Sequence, residues 1–276
     1  MIEELILTTS FIYLLITSIL DIKYRLVWDY INYSFGFLFL LIRLTELIIT
    51  ANFSIFLGVV LASIATFVIG LILYKTGAWG GGDLKLLTAL SIGLFFLPSD
   101  KLSVLSLSFP FYANFLINTL FSGIIFGLAW SYFLLIKTKT YKKLKKFHII
   151  ILLISLILFI SIFFVQVKEK ILFSLLIVFS LYYIIKIYED KITLVNKDVK
   201  KLDEGDWIFK NININGKLVT KKPTGLSKED IKILQSSKYK IIKIKDGIPF
   251  LVSFFLAFII TIILNDNLMK IIVMSL

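Results

Sequence analysis

With 276 residues, 58% of them hydrophobic, and a mean hydropathy of +0.93, the chain is too apolar for a soluble domain, whose apolar share is about 45–50%. The net charge of +12, from 30 Lys and Arg against 18 Asp and Glu, is set between apolar runs rather than gathered into a nucleic-acid-binding face. The absence of cysteine and the single histidine, His148, exclude disulfides, thiol catalysis, Cys-based zinc or iron–sulfur sites and an HExxH centre; no G-x-S-x-G elbow occurs, so carboxylates are the protease chemistry left.

Apolar runs predict eight spans, near 3–20, 30–49, 54–74, 84–97, 112–136, 147–166, 170–187 and 248–265. The fourth is short against the roughly 20 residues that cross a bilayer. The first has Glu3 and Glu4 instead of a basic leader region and no small-residue cleavage site, and reads as a retained helix. Lys23 and Arg25 follow span one, Lys75 follows span three, and Lys137, Lys139, Lys142, Lys143, Lys145 and Lys146 follow span five. The opposite loops, 50–53, 98–111 and 167–169, are poor in net positive charge. This asymmetry places the basic loops in the cytoplasm and both termini outside.

Residues 188–246 are polar. Asn215-Gly216 between apolar segments signals a hairpin, Ser227 and Asp230 resemble a capping box opening a helix over Lys228–Gln235, and Ile241, Ile242 and Ile244 suggest a strand. Gly247 and Pro249 mark the start of the last span, with Pro suited to a first helical turn. The expected fold is an all-α polytopic membrane protein of about eight transmembrane helices. It divides into a helical core at 1–187, a small cytosolic α+β domain at 188–246, and the last helix and tail at 247–276. Asn52-Phe53-Ser54 is a glycosylation sequon of the kind that also arises by chance.

The chemistry centres on two carboxylates. Asp83 follows Gly80-Gly81-Gly82, a run free of Cβ atoms that is able to take positive φ and admit close approach of another chain. An ionisable group at a membrane boundary suggests function by default, and helix capping is the plainer alternative. Asp21 lies at the cytoplasmic end of span one, at the same depth and on the same side; its plainer reading is a surface charge paired with Lys23 or Arg25. Two carboxyls within a few Å cannot both ionise. Sharing one proton, they provide a general acid and a general base, which suffices for peptide hydrolysis without metal or cofactor.

Gly80-Gly81-Gly82-Asp83 with the upstream Asp21-Ile22-Lys23-Tyr24-Arg25 resembles the GxGD signature and partner aspartate of the type IV prepilin peptidases, particularly the archaeal branch with the preflagellin (archaellin) peptidases. Gly247-Ile248-Pro249-Phe250 before a last helix is similar to archaeal members. The resemblance implies an aspartic endopeptidase of the cell membrane. Asp21 and Asp83 would be catalytic, the loop at Gly80 and Gly82 supporting, and the substrate a precursor pilin or archaellin with a short basic leader before a hydrophobic helix. The lipid bilayer is a partner and nucleic acid is not. Asp29 and Lys85 are candidate substrate contacts; their plainer readings are a start-of-helix residue and a snorkelling side chain. The lack of cysteine departs from the bacterial members' cysteine-rich insert, so no methyltransferase activity is expected. The additional spans at 147–187 resemble those of longer, pilin-processing archaeal enzymes and leave pilin and archaellin substrates both open.

Rivals are a protease of the signal-peptide-peptidase type, which carries Tyr-Asp where Leu20-Asp21 stands here, and a transporter using membrane carboxylates. A transporter predicts polar residues midway through several spans, whereas these spans read as Leu, Ile, Phe and Val. Finally, Asp21 at a helix C-terminus and Asp83 at an N-terminus meet opposite ends of helix dipoles, which predicts that a shared proton rests mainly on Asp21.

Overall fold

The computed structural model describes residues 1–97, 111–161, 167–214 and 216–264. The loop expected from 98 lies outside them as far as residue 110, as do Asn215 and the last residues of the spans expected at 147–166 and 248–265.

The helices are α1 (Ile2–Tyr24), α2 (Asp29–Thr50), α3 (Phe53–Lys75), α4 (Gly81–Leu94), α5 (Phe111–Lys137), α6 (Lys146–Ser161), α7 (Val167–Ile192), α8 (Lys228–Gln235) and α9 (Leu251–Leu264). Five of them, α1, α2, α3, α5 and α7 from Leu172, are long and apolar enough to cross a membrane. Their lipid-sized surfaces fit this: Leu61, Ile64, Ile69, Ile125 and Phe179 are exposed, more apolar area than a soluble monomer leaves bare. The expected eight spans are therefore five by length among the described residues, with α4, α6 and α9 shorter at 14, 16 and 14 residues. Fourteen helical residues rise about 21 Å, short of a hydrocarbon core of about 30 Å.

Local signals account for several boundaries. Glu3 and Glu4 in the first turn of α1 and Lys23 in its last suit the helix dipole. The Asn52 side chain accepts the Ile55 N–H at 3.2 Å and caps α3, a structural use for the residue that opens the sequon. Arg25 ends α1 in the left-handed conformation at φ 56°, its N–H donating to the Asp21 carbonyl at 3.0 Å.

α4 is the centre of the bundle. It packs against α2 and α3 and touches α1 and α5, and Leu84, Leu86, Leu87, Leu90 and Leu94 are all buried. A helix enclosed in this way need not reach both membrane surfaces. Its far end is capped by a residue that the sequence reading passed over, the buried Arg43 of α2, which donates to the Ile92 and Gly93 carbonyls and pairs with Glu46. α9 packs between α1 and α5, and Tyr13, Phe39, Phe115, Phe254 and Phe258 fill the shared core.

The span interiors are less uniformly apolar than expected. Asn32, Asn114, Asn118, Thr119 and Ser122 are buried. Asn118 donates to Thr261 at 2.9 Å and Ser122 to the Ser253 carbonyl at 2.8 Å, both from α5 to α9. These cross-helix bonds hold helices together where water cannot compete for them.

α6 and α7 form a hairpin beside α5. Residues 167–169, expected as a loop, open α7 instead. α7 also runs beyond the expected boundary at 188, because Tyr188 is buried against α5: its hydroxyl meets the Lys143 carbonyl and His148 Nδ1, each at 3.0 Å. The α+β domain thus begins at β1 (Leu194–Asp198) and continues through β2 (Trp207–Ile208), β3 (Ile212–Ile214), β4 (Lys217–Val219), α8 and β5 (Ile241–Lys245). β5 lies between β1 and β2, antiparallel to both, with Leu194 and Trp207 each opposite Lys245. β3 and β4 form the hairpin expected at Asn215-Gly216, Ile214 facing Lys217 and Gly216 at φ 82°. Ser227 and Asp230 form the expected capping box, the Ser227 hydroxyl accepting the Asp230 N–H. Val199, Ile208, Val219, Leu234, Ile242 and Ile244 make a core of the domain's own.

The domain sits where α1 ends and the α3–α4 turn lies. Gly77, at φ 75°, abuts Pro223; Arg25 faces Asp246; and Lys245 pairs with Glu189 and Asp190 of α7. Pro249 stands two residues ahead of α9, not in its first turn, and its carbonyl accepts the Val252 N–H.

Candidate active site

Asp83 is the third residue of α4, and its carboxylate accepts the Gly80 N–H at 2.8 Å. The capping reading is therefore part of the geometry. The glycine run works differently from expectation: Gly80 has φ −79°, and among the described glycines positive φ falls at Gly77, Gly205, Gly216 and Gly225. What the run provides is room. A Cβ on Gly80 would stand 3.3 Å from the Asp83 carboxylate, while one on Gly82 would meet nothing within 4 Å, so the backbone there is open to approach.

Asp21 lies in the last turn of α1, and its carboxylate accepts the Leu251 N–H of α9 at 3.0 Å. Asp21 is near the C-terminus of its own helix, as expected, and is also held by the N-terminus of another, which narrows the dipole contrast between the two aspartates. Nothing in the sequence signals the contact, which joins residues 230 apart.

α1, which carries Asp21 near its end, packs on α4, which carries Asp83 in its first turn, and among the described residues no hydrogen bond joins the two carboxyls. Trp79, directly before the glycine run, lies against Phe250 and Phe254 with ring centres 6.4 and 6.0 Å apart, tying the loop that carries Asp83 to the helix start that holds Asp21. Arg25 and Asp246 are the other charges that reach Asp21.

Asp29 and Lys85 are drawn together. Lys85 Nζ donates to Asp29 Oδ1 at 2.6 Å and lies 6.0 Å above the Tyr33 ring, so each neutralises the other at the rim of the bundle. Asp29 occupies the first turn of α2, as its plainer reading holds. Among the described residues no group of three or more His, Asp or Glu is placed to bind a metal.

Residues 8–132 match the type IV leader peptidase family, a stretch that contains both Asp21 and Asp83. No curated protein matches the chain. The matched segment comprises most of α1 and all of α2 to α4 with much of α5, in a chain with five helices long and apolar enough to cross a membrane. The α6–α7 hairpin, the α+β domain and α9 follow the leader-peptidase segment, yet α9 supplies the amide that binds Asp21.

Proposed function

We propose that the chain is an aspartic endopeptidase of the cell membrane that removes the short basic leader from a type IV pilin-like or archaellin precursor. The cut falls at the cytosolic membrane face, where the basic loops and the α+β domain would lie. The observation carrying this reading is the family match over residues 8–132, which contains both Asp21 and Asp83, on helices α1 and α4 that pack together. With one proton between them, the ionised carboxyl takes a proton from water as that water attacks the scissile carbonyl carbon. The protonated carboxyl then hands its proton to the amide nitrogen as the C–N bond breaks, leaving a leader carboxylate and a new amino terminus. The membrane crossings comprise the five long helices with α4, α6 and α9 completing the bundle.

The test is cleavage of a precursor in membranes by the intact chain, Asp21→Asn and Asp83→Asn. Each substitution is expected to lower the rate by about 100-fold or more with the protein still inserted, the range general acid–base catalysis contributes. Asp29→Asn is expected to retain substantial activity. Cleavage at the original rate in either dyad variant would end this reading.

A further inference from the structure

Three ties converge on the seat of Asp21. The Leu251 N–H donates to its carboxylate at 3.0 Å. The Ser18 hydroxyl, one turn earlier on α1, donates to the Leu251 carbonyl at 3.2 Å, so the first residue of α9 is held by α1 at both its N–H and its carbonyl. Arg25, one turn later, faces Asp246 with Nε and Oδ1 3.8 Å apart and lies 4.8 Å from the Trp130 ring.

Asp246 is also where the α+β domain closes. Its N–H donates to the Thr193 carbonyl at 2.8 Å, joining the residue that leaves the domain to the one that leads into it. From there the chain has only Gly247, Ile248, Pro249 and Phe250 before α9. Proline fixes one φ in this stretch, and Phe250 is pinned against Trp79, leaving little slack between Asp246 and Leu251. A shift at Asp246 is passed to the amide that orients Asp21.

We propose that Asp246 is a positioning residue for Asp21: by facing Arg25 it sets the start of α9, whose first N–H aims the carboxyl at the substrate and at Asp83. The inference rests on the dyad proposed above. It assigns the α+β domain and α9, both beyond the matched segment, a part in catalysis without contact to the reacting atoms.

The experiment uses the full chain in lipid vesicles and a precursor peptide with a basic leader and a hydrophobic helix, with kcat and KM measured separately. Asp246→Asn is expected to lower kcat about tenfold with KM little changed, since small misplacements of a catalytic group act on the chemical step. Asp246→Glu, which keeps the charge, should recover most of the loss, a rescue that general destabilisation would not produce. Ser18→Ala, loosening the same seat from α1, should lower kcat in the same manner. An unchanged kcat in Asp246→Asn, an effect confined to KM, or a loss that Glu does not recover would overturn the proposal. Where Asp246→Asn does not insert, Ser18→Ala decides by its kcat alone. Failure of the dyad itself reads differently: the unmodified chain would not cleave, or Asp21→Asn and Asp83→Asn would cleave as it does.

Discussion

Asp83 and Asp230 occupy the same position in their helices and are put to different uses. Each is the third helical residue and accepts an N–H from the residue before the helix, Gly80 and Ser227 respectively. Asp230 also accepts from the Ser227 hydroxyl and pairs with Lys222, contacts that hold the start of α8. Asp83 accepts its N–H from a glycine, which has no hydroxyl to add a second bond, has no cation bound to it among the described residues, and has an open backbone at Gly82 beside it. Asp230 yields a pH prediction. Burial alone would push its carboxyl up, but Lys222 and the Ser227 amide and hydroxyl outweigh burial and hold it below the usual carboxylate range. Its contribution, about 1 kcal/mol for a capping interaction, is therefore present above the unfolded value of about 4 and is lost as pH falls through the lower folded value. Pulse proteolysis with an acid protease between pH 5 and 2 should show the domain losing more stability in the native chain than in Asp230→Asn.

At the scale of elements, α4 illustrates how a helix too short to cross a bilayer survives within one. Its sides are covered by α2 and α3, and Arg43 satisfies the carbonyls that its early end leaves open. The Arg43 guanidinium is itself acceptable in this setting because Glu46 and two carbonyls surround it. Removing it strands a carboxylate and two carbonyls together, at a cost of about 3–5 kcal/mol for breaking a buried pair. Arg43→Leu is expected to lower the thermal unfolding temperature in detergent sharply, and Arg43→Leu with Glu46→Leu to recover part of that loss. The position of Asp83 depends on the same cap, since α4 joins Arg43 at one end to the glycine run at the other.

Over the whole molecule, the ends of α1 and α7, the α3–α4 turn and the start of α9 all meet the α+β domain at one end of the bundle. This places Asp21 and Asp83 on a common face, which we propose is cytosolic. The absence of native cysteine makes the arrangement directly measurable. Single cysteines at Leu26, Thr76 and Lys217 should react with a membrane-impermeant maleimide from one side of sealed vesicles, and one at Ala51 from the other. Labelling of Leu26 and Thr76 from opposite sides would make a shared proton between the two aspartates impossible.

Much of this was legible in the sequence because its signals are local. Long apolar runs mark the helices, Asn-Gly marks the β3–β4 hairpin, and Ser227 with Asp230 marks α8, each read within a window of a few residues or one helix period. Asp21 and Asp83 stand out for the same reason, as carboxylates where apolar runs begin or end. Tertiary structure alone decided what those groups touch: Leu251 on Asp21, Lys85 on Asp29 and Arg43 on the end of α4. It also decided that α7 runs on to Ile192 and that α4 can be short. Contacts between elements depend on how helices pack, and no spacing along the chain encodes an amide 230 residues away from the carboxylate it binds.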